Sequence, residues 1–483
     1  MLSLLLAFSI AQTDTVTQPQ TPVPPTYSLP QTDPLPSFDA IPDMNRIPPK
    51  EVVDIQDVRP LPGQLDGVPV FNSNSPEVVL TPGILLSTFP PDGFAVPEAH
   101  LNFPFEGRFD LFAHHIARAR SPEETRTFYQ GLIAYNPTAE PVILEVLQGA
   151  SYLTSPDALF IELEDMVANP DGEVYSGPGS RVMNDILRGK RQENWPAKLE
   201  IPPGEMVLLM NDPIPVGTVV PSSNARSTMM RLWSSGPVYL ANLAMRSPLR
   251  EDGTERAPTL AEWQGLLQNA GLAGPRDLTP TPLDPSVMNV VFGRVAGVAQ
   301  GSQWRSQLTD TPSVDYLTIP DTGEAFSYAL NTLHRITLGT EQIQSAKMLT
   351  RYPDTAYFGH GNYGVEYNLF LPLANFSDRT QQVSLTISSP LKEDEDMDAL
   401  LFFQPRDPQV FFRGTVRVRY NDDEGLPQTR YFHLVQRRGQ AGEPLLTLTL
   451  PPGDRRLVEV DFLYPPDATP PQVLTVRTLP NSN

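Results

Sequence analysis

One pattern of turns and strands occurs twice in the chain, and it constrains the fold more than any other feature. In the first copy, an apolar run ends in an Asn-Pro-Thr turn at Asn136, and a Pro-Pro-Gly-acid turn follows much later at residues 202–205. In the second copy, an Asn-Phe-Ser turn begins at Asn375 and the Pro-Pro-Gly-acid turn lies at residues 451–454. Asparagine closes a turn through its side chain, and Pro-Pro-Gly forces a tight reversal. The shared order predicts two units of similar plan; the alternative is turn chemistry shared by chance.

Short apolar runs separated by turn residues make up most of the chain after residue 50. Several of them alternate polar with apolar residues, as a strand with one solvent-facing side does. The clearest runs are residues 142–147, 206–210, 238–243, 382–387, 415–420 and 457–462. This pattern predicts an all-β fold with two tandem β-sandwich domains, immunoglobulin-like or jelly-roll-like, at residues 51–250 and 285–480.

Helix signals are sparse. Thr259 and Glu262 have capping-box spacing, and the apolar pattern that follows stops at Gly271. These features predict a short helix in the connector, residues 251–284, between the two domains. Residues 155–166 and 180–187 are candidate short helices within the first domain.

The first 50 residues differ from the rest of the chain. Residues 2–11 are one apolar run that ends in small residues suited to a signal-peptidase site, so residues 1–11 are predicted to be a signal peptide. The alternative is an apolar start that packs in a core. Residues 12–50 are rich in Pro, Thr and Gln, which predicts a disordered linker. We therefore expect export to the periplasm or the cell surface.

Composition excludes several classes of function. The 483-residue chain has no cysteine and a formal net charge of -21. The missing thiols exclude disulfides, a cysteine nucleophile and cysteine-ligated metal sites. The acidic balance argues against nucleic acid as a partner, because binding to phosphates needs a basic surface. No segment is long and apolar enough for an integral membrane span.

Five segments of the folded part give the chain a resemblance to a known family. They are residues 58–66, 107–115, 293–298, 351–357 and 360–365. In these segments the chain resembles a family of exported cyanobacterial proteins that carries a domain of unknown function. The resemblance implies an exported cyanobacterial protein, and it supplies no established activity and no catalytic residues.

The best binding candidate is the tyrosine-rich segment at residues 351–363. Aromatic faces beside directed polar groups are suited to holding sugars and polar peptides. The alternative is a crossover that closes one end of a sandwich, with the rings buried. The candidate binding residues are Tyr352, Asp354, Tyr357, His360, Asn362 and Tyr363.

Metal binding has two candidate locations. Imidazole and carboxylate groups from His100, Asp110, His114 and His115 could form a zinc or iron site. Neighbouring residues of a regular strand point to opposite faces, however, so His114 and His115 would converge only at an irregularity. The acidic runs at residues 392–398 and 421–425 could bind Ca²⁺, with solvated turns as the alternative. No cofactor is otherwise predicted.

Three functions remain open. The first is a non-catalytic envelope protein with a structural or scaffolding and adhesive role, whose partner is an envelope polysaccharide or another envelope protein. The second is carbohydrate binding through the tyrosine-rich segment, and the third is a metal-assisted hydrolase at the histidine cluster. Serine-hydrolase, phosphate-loop and dinucleotide motifs are absent from the sequence, which favours the first.

Overall fold

A computed structural model describes residues 48–121, 123–284, 286–287, 290–392 and 398–480. The predicted signal peptide and nearly all of the predicted linker lie outside this range. The first strands are β1 (Lys50–Ile55), β2 (Asp57–Arg59), β3 (Pro69–Ser73), β4 (Val78–Val79), β5 (Gly83–Ser87), β6 (Phe105–Arg118), β7 (Phe128–Tyr135), β8 (Val142–Leu153), β9 (Met166–Ala168), β10 (Lys198–Ile201), β11 (Met206–Ile214) and β12 (Ser223–Arg246).

The later strands are β13 (Ala296–Gln300), β14 (Gln303–Gln307), β15 (Leu317–Thr318), β16 (Ala325–Leu330), β17 (Ala346–Arg351), β18 (Phe358–Gly359), β19 (Glu366–Ala374), β20 (Gln381–Ser388), β21 (Ala399–Gln404), β22 (Val410–Asn421), β23 (Pro427–Arg437), β24 (Pro444–Leu450), β25 (Arg455–Leu463) and β26 (Gln472–Thr478). The helices are α1 (Pro178–Leu187), α2 (Leu260–Asn269) and one 3-10 turn (Pro97–Ala99). The prediction of an all-β fold is confirmed.

The long strand β12 organises the first sandwich. Its first part pairs with β6 and β8, and after a break at residues 235–237 its second part pairs with β5 and β7. The first sheet runs β10-β8-β12-β6-β3-β13-β17-β18, and the second contains β11, β7, β12 and β5. Apolar residues from both sheets, including Phe109, Leu132 and Leu232, enclose the first core.

The second sandwich has sheets β14-β19-β25-β22-β23-β9 and β2-β16-β26-β20-β24. Its core contains Leu369, Phe462, Leu385 and Val476, from facing strands of both sheets. Strands β22 and β23 form a hairpin, because they pair antiparallel up to Asn421 and Pro427.

The repeated turn pattern is confirmed in both sandwiches. The side-chain amide of Asn136 donates to the carbonyls of Glu140, Ile201 and Pro202, and thereby ties its own turn to the Pro-Pro-Gly turn. The side-chain amide of Asn375 makes the corresponding bonds. In each copy, both turns connect a strand of one sheet to a strand of the opposite sheet. In the first copy β7 pairs with β11 and β8 pairs with β10. In the second copy β19 pairs with β25 and β20 pairs with β24.

Strands that precede residues 251–284 in the chain pair with strands that follow them. In the first sheet, β13 pairs antiparallel with β3, and β17 and β18 follow it. In the second sandwich, β9 pairs with β23 and β2 pairs with β16. The sandwiches therefore exchange strands, and the division into residues 51–250 and 285–480 stays a prediction.

The two helices pack on different surfaces. The capping box of α2 is confirmed, because the Thr259 hydroxyl accepts from the N–H of Glu262 and the Glu262 carboxylate accepts from the N–H of Thr259. Helix α1 lies at the junction, where Val182 and Met183 pack in one cluster with residues of β12 and β25. Among the described residues, no helix has the length and apolar character needed to span a bilayer.

Of the two candidate short helices, the second is confirmed by α1 and the first is wrong. Residues 155–165 form turns and irregular chain. The Ser176 hydroxyl accepts from the N–H of Ile161 and donates to its carbonyl, so these groups bond to a neighbouring loop rather than along a helix.

Candidate functional site

A small cavity lies where the edge of the first sheet meets the loop after β18. Strand β3 and its extension bring Asn72 and Asn74, which share a face because side chains alternate along a strand. The segment before β13 brings Arg294, and the loop after β18 brings His360 and Tyr363. The cavity has a volume of about 30 Å³ and is partly open to solvent. Val295, Asn362 and three glycines complete its wall.

Three buried polar atoms of residues in the cavity wall have no hydrogen-bond partner in the protein. They are Oδ1 of Asn72, Oδ1 of Asn74 and Nδ1 of His360. Their side chains belong to residues that are only 5–6% exposed. Buried polar groups normally have a hydrogen-bond partner, so these three atoms are exceptions to that rule. The atoms themselves are closed off from solvent, so the cavity presents other atoms of its wall.

His360 is held as a neutral ring. Burial lowers its pKa to about 3, and an interaction with the backbone of Phe292 partly opposes this shift. The ring centroids of Phe292 and Phe358 lie 4.7 and 5.9 Å from that of His360, so the imidazole is fixed between two aromatic rings.

The other polar groups of the wall have partners. Arg294 forms an ion pair with Glu77, and both side chains are about nine-tenths buried. The Tyr363 hydroxyl donates to the carbonyl of Ala468 at 3.4 Å, and burial raises its pKa to about 12. Because Ala468 belongs to the second core, Tyr363 connects the cavity to the second sandwich.

Three of the predicted binding residues lie away from the cavity wall. Tyr352 is fully buried, and its hydroxyl donates to the carbonyl of Ala99 at 2.7 Å, so its ring presents no face to a ligand. Asp354 receives two hydrogen bonds from Arg276, at 2.7 and 3.1 Å, and this guanidinium lowers its pKa. The Arg351 guanidinium covers the Tyr357 ring at 3.9 Å.

The other three, His360, Asn362 and Tyr363, line the cavity. The Asn362 side chain holds the backbone around the cavity, because it accepts from the N–H of Ala346 at 3.0 Å and donates to the carbonyl of Gln344 at 2.9 Å. It has a φ of 46°, a left-handed conformation that asparagine tolerates better than most residues. The segment therefore supplies a polar wall rather than an exposed aromatic platform.

The predicted metal ligands are kept apart. His100, His114 and His115 each bond to a different serine, and Asp110 forms an ion pair with Arg108. Within the part of the chain that the structure describes, no three His, Cys, Asp or Glu side chains are grouped to hold a metal ion. Burial lowers the pKa values of His100 and His115 to about 4 and that of His114 to about 3.

A buried chain of hydrogen bonds contains a Ser–His pair. The Ser73 hydroxyl lies 2.9 Å from Nε2 of His115, whose Nδ1 donates to the carbonyl of Pro76 at 2.8 Å. Asn242 donates to Ser73 and accepts from Gln130, so the chain links strands β3, β6, β12 and β7. A serine next to a histidine base is the arrangement of a nucleophile. Here both are no more than 1% exposed, so the pair is enclosed in the first core.

The acidic runs have different outcomes. Residues 393–397 lie outside the described part of the chain. In the hairpin turn at residues 421–425, the Asp422 carboxylate accepts from the N–H groups of Glu424 and Leu426 and from Gln428. Asp423 accepts from the N–H of Thr449. These carboxylates close the turn by bonding to protein donors, and Ca²⁺ binding stays a prediction.

A comparison with family models identifies the chain. The family described as protein of unknown function (DUF3370) matches residues 56–478. The chain belongs to this family. No curated protein matches it. The resemblance to a family that carries a domain of unknown function is thereby confirmed.

Solved structures show only remote similarity to this DUF3370 protein. Lac15 from a marine microbial metagenome is 10% identical with a TM-score of 0.10; the match covers 78% of the chain and 53% of Lac15, so the chain spans about half of that protein. A mutant of oxalate decarboxylase from Bacillus subtilis is 8% identical, with a TM-score of 0.11, and the match covers 80% of the chain and 78% of the decarboxylase. TM-scores this low carry no argument about fold or function.

Among the polar residues of the cavity wall, Asn72, Asn74 and Arg294 were not predicted from the sequence as binding residues. The signal for the two asparagines was present, because Phe-Asn-Ser-Asn-Ser at residues 71–75 alternates and places both amides on one face. Two of the segments that carry the resemblance, residues 293–298 and 360–365, contribute to the wall of this DUF3370 cavity.

Proposed function

We propose that this DUF3370 protein is an exported, non-catalytic protein of the cell envelope with a structural or scaffolding role. The proposal rests on the extensive contact between the two sandwiches. They exchange strands, and buried charges connect them. Two sandwiches connected in this way form a rigid unit, which is suited to keeping two attached partners at a fixed separation.

The buried charges form a network across the junction. Arg231 on β12 of the first sandwich forms an ion pair with Glu366 on β19 of the second. The Asn368 amide donates to Glu366 at 2.9 Å and to Asp461 at 2.7 Å, and Asp461 also accepts from Arg417 at 3.0 Å. Removing one member of a fully buried ion pair costs about 3–5 kcal/mol. The Arg231 and Glu366 side chains are 18% and 12% exposed, so this pair contributes less than that, but it still opposes separation of the sandwiches.

The state of the acid–base groups supports a non-catalytic role. The three predicted metal-site histidines have pKa values lowered by burial, and each has a serine partner within the first sandwich. A general base needs a pKa near the working pH and contact with substrate. The enclosed Ser73–His115 pair meets neither condition.

Export is tested by locating the protein in its native host. Cells are separated into cytosolic, membrane, periplasmic and external fractions, and the N-terminus of the mature chain is sequenced. We expect the protein outside the cytosol, with a mature chain that begins after Ala11. As a control, Leu4→Asp with Leu5→Asp interrupts the apolar run and is expected to retain the protein in the cytosol. Unmodified protein in the cytosol would contradict the proposal.

A further inference from the structure

Strand β1 has an open edge. Within the part of the chain that the structure describes, it pairs only with β21, and the two strands form a sheet of their own. Five of its six residues are exposed, and Val53 and Ile55 are 58% and 81% exposed. A sheet of two strands is marginally stable in water, and a third strand stabilises it. The second side of β1 is therefore a place where another strand can add.

The two faces of this small sheet have different environments. Val52 lies opposite Phe402, which is buried in an apolar cluster with residues of β16 and β26. Val53 lies opposite Leu401, and neither of these is buried. Because side chains alternate along a strand, Ile55 shares the outer face with Val53. Residues 51–55 contain no proline, lysine or bulge, which are features that protect edge strands from pairing.

The backbone of β1 shows which groups point to the open edge. The N–H of Gln56 donates to the carbonyl of Asp398, so the backbone groups of Gln56 point toward β21. This direction alternates along an antiparallel strand. The N–H and C=O groups of Glu51, Val53 and Ile55 therefore point to the open edge, where an added strand can bond to all three residues.

We propose that β1 pairs antiparallel with β1 of a second copy of the chain, around a twofold axis at Val53. In this register Val53 faces Val53 of the second copy, and Glu51 faces Ile55. All three residues then exchange N–H and C=O bonds with their counterparts. A register shifted by two residues would place Pro49 opposite Ile55, and one exchange would be lost because proline has no N–H.

The charges of β1 are compatible with this register. Asp54 forms an ion pair with Arg477 at 2.6 Å, so its charge is balanced within its own copy. Lys50 lies diagonal to Asp54 of the second copy, which is a favourable arrangement of opposite charges. A shift by one residue would instead place Glu51 opposite Asp54 and bring two like charges together.

The geometry also limits the assembly to two copies. Strand β21 already occupies the other side of β1, so a pair of β1 strands leaves no further open edge on either of them. The result is a closed, twofold-symmetric dimer. Its contact is one short strand from each copy, which is typical of a weak interface. This inference goes beyond the scaffolding role and does not depend on export.

The test is sedimentation velocity of the full chain over a wide range of protein concentration. We expect a monomer–dimer equilibrium with a Kd of roughly micromolar order. Val53→Pro removes the central outward N–H and no bond to β21, so it is expected to weaken association at least about tenfold. Circular dichroism checks that this variant is folded.

A second measurement tests the register and uses the absence of cysteine from the chain. Val53→Cys places a thiol on the twofold axis, where facing Cα atoms are about 5.5 Å apart, a distance that a disulfide spans. After mild oxidation we expect a covalent dimer on a non-reducing gel. Ile55→Cys is one control, because Ile55 and its copy are four residues out of register. Leu457→Cys is the other, since Leu457 is similarly exposed, at 49%, on a strand with partners on both sides.

Three results would each overturn the proposal. They are a monomer at every concentration, association that the folded Val53→Pro variant leaves unchanged, and cross-linking no faster at residue 53 than at residue 457. A monomer at every concentration would assign the open edge to another occupant, such as residues 12–47 of the same chain.

Discussion

Two asparagine side chains, Asn136 and Asn375, perform the same task in two different sandwiches. Each amide oxygen accepts from the backbone and hydroxyl of the residue two positions later, Thr138 or Ser377. Each amide nitrogen donates to three carbonyls, two of which belong to the approach to the distant Pro-Pro-Gly turn. A single fully buried side chain therefore fixes two turns at once.

Replacing either asparagine is expected to destabilise the protein. In Asn136→Ala or Asn375→Ala, buried carbonyls lose their donors, and we expect the free energy of unfolding to fall by about 2–3 kcal/mol. Urea unfolding followed by circular dichroism measures this change. The exposed Asn269→Ala serves as the control, with a change within about 0.5 kcal/mol. If all three variants unfolded at the same urea concentration, the asparagines would not have the structural role described here.

The turns could be predicted from the sequence because their chemistry is local. Asn136 and its partner Thr138 are neighbours in the chain, so the pattern is visible without a structure. The cavity could be predicted only in part. His360 and Tyr363 stand in a conspicuous aromatic segment, whereas Asn74 and Arg294 reach the site through the pairing of β3 with β13, which no local pattern encodes.

At the scale of elements, helix α2 packs a tryptophan against a glycine of the sheet, where a larger residue would leave no room for the ring. Trp263 is fully buried on the second sheet of the first sandwich, together with Ile133 and Leu243. Its indole ring lies directly over Gly131 of β7, where an added Cβ would come within 2.5 Å of the ring. Its Nε1 donates to Asn211 of β11 at 3.1 Å. The strand leaves a space, and the helix fills it.

Two glycine-to-alanine variants test this packing in opposite directions. In Gly131→Ala, the added methyl group displaces Trp263, and we expect a loss of about 1–3 kcal/mol in the free energy of unfolding. In Gly265→Ala, on the exposed side of the same helix, nothing lies within 4 Å of the added Cβ. Alanine favours helix over glycine, so this variant is expected to gain about 0.5–1 kcal/mol. Thermal melting compares the two, and a stable Gly131→Ala protein would contradict the contact.

Strand positions were easier to predict than strand partners. The six apolar runs identified in the sequence all lie within strands, because alternation and β-branched residues act over a few positions. Strand β9 is three residues long, and its pairing with β23 depends on the approach of two sandwiches. Interactions of this kind depend on the whole fold, so the exchange of strands between the sandwiches could not be predicted.

At the scale of the whole molecule, buried neutral histidines link stability to pH. Burial lowers the pKa of His115 to about 4, against 6.5 for an unperturbed histidine. Between these pH values the unfolded chain binds a proton that the folded chain does not, so stability falls as the pH falls through this range. His114, His360 and His433 act in the same direction, while Asp467, with a pKa raised by burial to about 6, opposes them.

We therefore expect the protein to be less stable at about pH 5 than at about pH 7. The contribution of His115 alone is at most about 3 kcal/mol, which it loses as the pH falls from 6.5 to about 4. Urea unfolding at several pH values measures the slope. In His115→Asn, which keeps a polar group near Nδ1, stability should depend less steeply on pH. A slope that does not change in this variant would show that His115 titrates normally in the folded protein.

The exchange of strands has a consequence for the order in which the protein can be built. Synthesis proceeds from the N-terminus, yet β3 waits for β13 to complete its sheet, and Lys50 pairs with Gln404. A nascent chain that has emerged only as far as β12 therefore exposes an unpaired sheet edge, which is a surface prone to aggregation. The first sandwich completes its first sheet only when β13, β17 and β18 have been made, so the chain needs protection until synthesis has passed residue 359.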